Sequence, residues 1–395
     1  MSVTQFDNIP VFGEPDAEAI KQMRMCSVDA SYAALMADHH LGYSVPIGGV
    51  VAYENKVSPS AVGYDIACGN KAVLLDVDAG DVQRNIKKIM DDLWRSLSFG
   101  MGRNNKEVVE HPLFDDASAW EAPATKGLKD LARQQLGTIG GGNHYVDLFV
   151  DEKNRVWCGV HFGSRGLGHK TTTYFLKTGG AKEGIHVKPL LLDAEADLGE
   201  QYIQAMQLAG RYAYAGRDWV CEKVAAILGA KILKEVHNHH NFAWQEEHFG
   251  RKLWVVRKGA TPSFPGQQGF VGGSMGDISV ILEGAESELS KSALYSTVHG
   301  AGRVMSRRQA AGQFKFQSGK RVKVKDGKVS RQMMHDWISA MSVELRGAGT
   351  DESPHCYKRL PEVLAHHENT IRILHTLKPI GVLMAGEDEL DPFAD

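Results

Sequence analysis

The chain has 395 residues, 43% hydrophobic and 24% charged, with a net charge of −3. That length can bury a large core, and the near-neutral balance gives no whole-molecule field for drawing in nucleic acid. No apolar run reaches the roughly 18 residues of a membrane span, the first segment carries no export signal, and five scattered cysteines (Cys26, Cys68, Cys158, Cys221, Cys356) argue against a disulfide framework. A reducing, cytoplasmic setting and no membrane association are expected.

In chain order, NKAVLLDV (70–77) reads as a strand. Residues 82–98 space their apolar positions three to four apart, which predicts an amphipathic helix. HYVDLFV (144–150) and RVWCGVHF (155–162) follow as strands, and residues 191–229 read as helical in two pieces. KLWVVRK (252–258) and GDISVIL (276–282) add strands, and KRVKVKDGKV (320–329) reads as a hairpin turning at Asp326-Gly327. LPEVLAHHENTIRIL (360–374) reads as a helix and PIGVLM (379–384) as a final strand. No repeat, low-complexity tract or flexible linker divides these elements. One α+β domain over residues 1–395 is expected, its sheets flanked by helices, with an acidic tail at 387–395.

Between the strands lie five glycine-rich segments that carry polar, metal-competent side chains. They are VGYDIACGN (62–70), GTIGGGNHYVD (137–147), GVHFGSRGLGHK (159–170), VHNHHNFA (236–243) and VHGAGRVMSR (298–307). Taken singly, each has a plain explanation. Asp65 can cap a turn, Cys68 can be a buried thiol, and His144 and His161 can mark strand ends. Among His237, His239 and His240, at least one is expected to be idle. Together they supply a thiolate, a carboxylate and several imidazoles, a set that suits one divalent metal or two sharing the sulfur. The donors leave the identity of the metal open. Arg165, Arg303 and Arg307 stand beside the histidine–glycine turns, where guanidinium forks match phosphate oxygens, and Ser274 lies in a glycine-rich turn fit to cradle another phosphate. From Arg307 to Arg331, nine Lys or Arg accompany one acid, Asp326, with Phe314 and Phe316 interleaved. That stripe suits either a phosphate backbone or a solvated hairpin.

Metal ligands beside phosphate-binding arginines point to phosphoryl or nucleotidyl transfer. The ordered motifs D-x-x-C, GGGNH, H-x-GSRG, HHN, R-K-G-A, GSMG and HGAGR-x-MSR resemble those of the RtcB-type RNA ligases across essentially the whole chain. The resemblance implies an RtcB-like fold, manganese (one or two ions) and GTP. It also implies that His299 attacks the α-phosphate to form a covalent histidine–GMP. The GMP then activates an RNA 3′-phosphate, itself obtained from a 2′,3′-cyclic phosphate where necessary, for attack by a 5′-hydroxyl end in RNA repair or tRNA splicing. Carried over by position, the metal ligands are Asp65, Cys68, His144, His161 and His240, with Cys68 bridging. The nucleotide contacts are Asn143, Asp147, Asn241, Gly273, Ser274, Met275, Ser279, Gly300, Ala301, Gly302 and Tyr357. Arg165, Arg303 and Arg307 hold RNA phosphate. Cations near His299 are expected to keep its ring neutral.

The chain departs from that pattern in ways that mark a divergent paralogue. Asp147 replaces the family's glutamate, and Gly272 replaces a proline, which is expected to loosen the turn. Ala385 stands where the family has a purine-contacting lysine, with Lys378 as a possible substitute, so weaker guanine preference is expected. The rival reading is a metal-dependent phosphodiesterase or cyclic phosphatase acting on RNA ends, with water as nucleophile and His299 as an acid or base. A third is an RNA-binding descendant without catalysis, against which the intact ligand set and His299 argue.

Overall fold

The computed structural model describes residues 3–182, 184–317 and 320–386, so the tail at 387–395 lies outside it. Two sheets organise the α+β fold. In the larger, the strands run in the order Ile232–His239, Gly69–Asp78, Arg155–Phe162, Tyr145–Asp151, Ile371–Gly386, Ser279–Gly284 and Gln268–Val271. Glu344–Ala348 joins in parallel beside the long strand Ile371–Gly386. The central strands are apolar on both sides. Val73, Leu75, Val146, Val156 and Cys158 pack toward Val220, Cys221 and Val224 of the helix Asp197–Leu228. Their neighbours Ala72, Leu74, Phe149 and Trp157 turn the other way, toward Met334 and Ile338 of the helix Arg331–Ala340. Side chains alternate along a strand, so a sheet covered on both faces needs the unbroken apolar run seen in NKAVLLDV.

The smaller sheet has six strands, ordered Val3–Phe6, Ile9–Phe12, Tyr32–His40, Ile47–Tyr53, Arg251–Lys258 and Asn241–His248. His240 is the one residue between Ile232–His239 of the first sheet and Asn241–His248 of the second, so the chain changes sheets at a histidine.

Several expected elements differ. The 82–98 helix is two, Ala79–Arg84 and Ile86–Ser96, hinged at Asn85. Residues 191–229 instead hold one helix of 32 residues, roughly 48 Å long, whose buried Ala205, Ala209, Ala213 and Gly216 let it lie close to its neighbours. The helix expected at 360–374 stops at Ala365, and from Ile371 the chain is strand, paired with Ser279–Gly284. The basic hairpin forms between Gly312–Gln317 and Lys320–Asp326. Asp326 therefore ends its second strand, paired with Gly312, while Gln317 pairs with Lys320.

Candidate active site

Strand ends from both sheets meet at a cavity of about 280 Å³. Asp65 and Cys68 lie in the turn that leads into Gly69–Asp78, His144 stands just before Tyr145–Asp151, and His161 is near the end of Arg155–Phe162. His240 sits at the sheet crossover, and His299 follows the strand Ser296–Val298. All six line the cavity.

Cys68 is shared by two donor sets, Cys68–His161–His240 and Asp65–Cys68–His144, each with ligand atoms within 4.8 Å of one another. Its Sγ lies 3.1 Å from His161 Nε2 and 3.6 Å from His144 Nε2, which in turn is 3.1 Å from Asp65 Oδ2. Burial, then the neighbouring Asp65 charge, pushes the Cys68 thiol well up. Burial likewise holds His161 and His240 well below the usual imidazole range. Asp65 stays low despite burial, because its hydrogen bond to His144 and that ring's charge outweigh desolvation. A divalent cation fits these donors: two neutral imidazoles, a carboxylate and a thiol that a cation would deprotonate. His240 Nδ1, buried without a hydrogen-bond partner, is the donor atom such an ion would satisfy.

Against the cavity stands a residue that sequence reasoning missed. His299 Nδ1 lies 2.6 Å from Asp38 Oδ2, and the same oxygen accepts the backbone N–H groups of His299 and Gly300. Asp38 is fully buried; desolvation raises its carboxyl, but attraction and hydrogen bonding from His299 outweigh it and hold it low. A carboxylate only accepts, so the ring carries a hydrogen on Nδ1, and Nε2 is the nitrogen turned away from Asp38. The contact beside His299 is thus an anion, where cations were expected. Asn70 Nδ2 adds a bond to the His299 carbonyl. The only hint of Asp38 in the sequence is an acid that follows the apolar run Ala33–Ala37 and precedes two histidines in the strand Tyr32–His40.

The other expected residues divide. Asn143, Asp147, Asn241, Gly273, Ser274, Met275, Gly300, Ala301, Gly302, Arg303 and Tyr357 line the cavity. Asp147 Oδ1 and Ser274 Oγ are buried there without partners, and burial pushes the Asp147 carboxyl well up. Ser279 stays off the cavity wall and accepts the Gly273 N–H at 3.0 Å, shaping the turn. Arg165 and Arg307 stand behind the wall. Arg165 Nη1 is 3.1 Å from His144 Nδ1, and Arg307 pairs with Glu352 at 3.2 Å. The glycine run before His144 has a steric cause: a Cβ on Gly140 would overlap the Arg165 guanidinium, and one on Gly142 that of Arg307.

Arg303 donates to Glu352 at 3.2 Å, to the Tyr357 hydroxyl at 2.8 Å, and to the carbonyls of Met305 and Asp351. Tyr357 donates in turn to Glu352. Glu352, which ties these groups together, has no local signature in the sequence. Two expectations about the departures from the family pattern change as well. Gly272 makes room in its turn, since a Cβ there would overlap the buried Tyr145 hydroxyl. Lys378 is exposed opposite Val150, whereas Met384 opposite Tyr145 marks the cavity end, six residues and about 20 Å further along the strand. It does not stand in for the lysine absent at Ala385.

A family model described as tRNA-splicing ligase RtcB matches residues 19–124 and 116–385. The chain is 29% identical to the RNA-splicing ligase RtcB of Escherichia coli K12, over 94% of each chain. It is 28% identical to the tRNA-splicing ligase RtcB of Thermococcus kodakarensis, over 89% of this chain and 87% of that one. With the tRNA-splicing ligase RtcB of Archaeoglobus fulgidus the identity is 30%, over 88% and 86%.

Proposed function

The chain belongs to the RtcB family, and from that premise we propose that it is an RNA ligase acting through a covalent histidine–nucleotide intermediate. The observation that carries this reading is His299, held by Asp38 at 2.6 Å and facing the same cavity as the Cys68-centred donor sets. His299 Nε2 attacks the α-phosphorus of GTP; a P–N bond forms and pyrophosphate leaves. Charge that develops on the ring is offset through Nδ1–H by the buried Asp38 carboxylate. The GMP passes to an RNA 3′-phosphate, and a 5′-hydroxyl then attacks that activated phosphorus, forming the phosphodiester and releasing GMP. Asp65, Cys68, His144, His161 and His240 would hold one or two manganese ions, which when bound polarise phosphate oxygens.

The cavity walls give the remaining residues their parts. Asn143, Asn241, Ser274 and the backbone from His299 to Gly302 surround the nucleotide. Asp147 and the Tyr145 hydroxyl offer buried polar atoms to its base, with no cation at Ala385, so guanine preference is weaker than the family's. Among the described residues no helix is long and apolar enough to cross a membrane.

The test is incubation with manganese and α-labelled GTP, followed by denaturation. An acid-labile, alkali-stable label on the protein is expected, and His299→Ala abolishes it. Release of phosphate from RNA ends by a chain that never takes up label would establish the phosphodiesterase reading instead.

A further inference from the structure

We infer that Arg217 is a positioning residue that sets the affinity of the Cys68–His161–His240 cluster for a divalent cation by holding the chain neighbours of its ligands. The inference rests on reading that cluster as a metal site. Arg217 projects from the helix Asp197–Leu228 and is fully buried. Its hydrogen bonds end on neutral groups: the carbonyls of Ala67 at 3.0 Å and Phe162 at 2.5 Å, His239 Nδ1 at 3.0 Å and His237 Nε2 at 2.7 Å.

Three of those acceptors are chain neighbours of the three ligands. Ala67 precedes Cys68, Phe162 follows His161, and His239 precedes His240. One planar guanidinium thus holds a neighbour of every donor in the set, through the backbone at Ala67 and Phe162 and through the ring at His239. Ala67 has φ +58°, a left-handed conformation that a residue with a Cβ enters reluctantly. The bond to its carbonyl holds the peptide that turns Cys68 toward the cavity. His240 N–H donates to the Cys68 carbonyl at 2.8 Å, so two of the ligands are also tied to each other. The fourth acceptor anchors Arg217 from behind, because His237 Nδ1 is 3.4 Å from Asp218, which pairs with Lys71 at 2.5 Å. Supports of this kind, outside the ligands themselves, govern how well a preformed site takes its ion.

Arg257 supplies the control. It too is fully buried, but it pairs with Glu246 at 2.7 Å and donates to Ser296 and the Leu294 carbonyl, none of them beside a ligand. Manganese affinity is measured by calorimetry on the chelator-stripped full chain, with thermal stability recorded in parallel. Arg217→Lys keeps the charge and removes the fork, and its affinity is expected to fall about 10- to 100-fold. Arg257→Lys is expected to lose stability and keep wild-type affinity. If Arg217→Lys does not accumulate folded, His239→Gln, which disturbs one of the contacts, is expected to give a smaller loss of the same kind. Wild-type affinity in the folded Arg217 or His239 variant overturns the inference, as does an equal loss in Arg257→Lys. A wild-type chain that takes up no manganese overturns the metal reading itself.

Discussion

The two sides of the cavity are built in opposite ways. The ligand side stands on sheet ends, and its buried polar atoms (His240 Nδ1, Asp147 Oδ1, Ser274 Oγ) wait without partners. The arginine side stands on turns and short helices, among them the 3-10 turn Thr350–Glu352, and its charges are already spent on one another, Arg303 and Arg307 on Glu352. At those three atoms a ligand is received without internal competition, while on the second side a phosphate has to displace an acid. Regular backbone fixes donors well enough to leave them unsatisfied; loops must satisfy their charges internally to hold a shape.

His299 stands where the two sides meet, and its support is the sharpest place to break the contrast. Asp38→Asn presents an amide that donates toward Nδ1 and favours the wrong tautomer. Labelling by α-labelled GTP is expected to slow about 10²- to 10⁴-fold. Labelling at the wild-type rate would mean that Asp38 merely fills space.

Acid should act next, through three buried histidines around the site: His40 on the cavity wall, His237 behind Arg217, and His367, which accepts the Ala37 N–H next to Asp38. Burial lowers His40 and His367 to about 4 and His237 to about 3. These folded values lie below that of a free imidazole, so the unfolded chain binds more protons once the pH drops below about 6.5. The stability they contribute is complete above that point and is lost as pH falls toward 4, each group costing about 1.4 kcal/mol per pH unit. Urea unfolding of metal-free chain at pH 7.5 and 5.5 is expected to differ by about 3 kcal/mol or more. Equal midpoints at equal slope would show that these histidines are not held neutral.

The smallest effect belongs to the arginine side. Glu352→Gln removes the charge on which Arg303 and Arg307 are spent, and inorganic phosphate is expected to bind about three- to tenfold tighter, the scale of one screened ion pair. Unchanged or weaker phosphate binding would show that the acid does not compete.

The same contrast governed what could be read in the sequence. The ligand side was legible because its donors sit in short glycine-flanked segments that say little singly but together make up a metal-competent set. Asp38 was hidden at the end of an apolar run and meets His299 across 261 positions, a distance no local pattern spans. Glu352 was hidden for a similar reason, 49 positions from Arg303. The misplaced helix at 360–374 came from apolar residues that fall at helical spacing on both sides of a turn, although Ile371 is held by a strand neighbour far away in the chain. In the basic hairpin, Asp326-Gly327 has the composition of a turn, but Asp326 pairs with Gly312 as the last residue of the strand Lys320–Asp326.

The crowding between position 272 and the Tyr145 hydroxyl also constrains history. A lineage with proline at this turn cannot add the hydroxyl while the ring keeps this place, because the two would occupy the same volume. The two positions are therefore sterically coupled, and a side chain at one requires a change at the other.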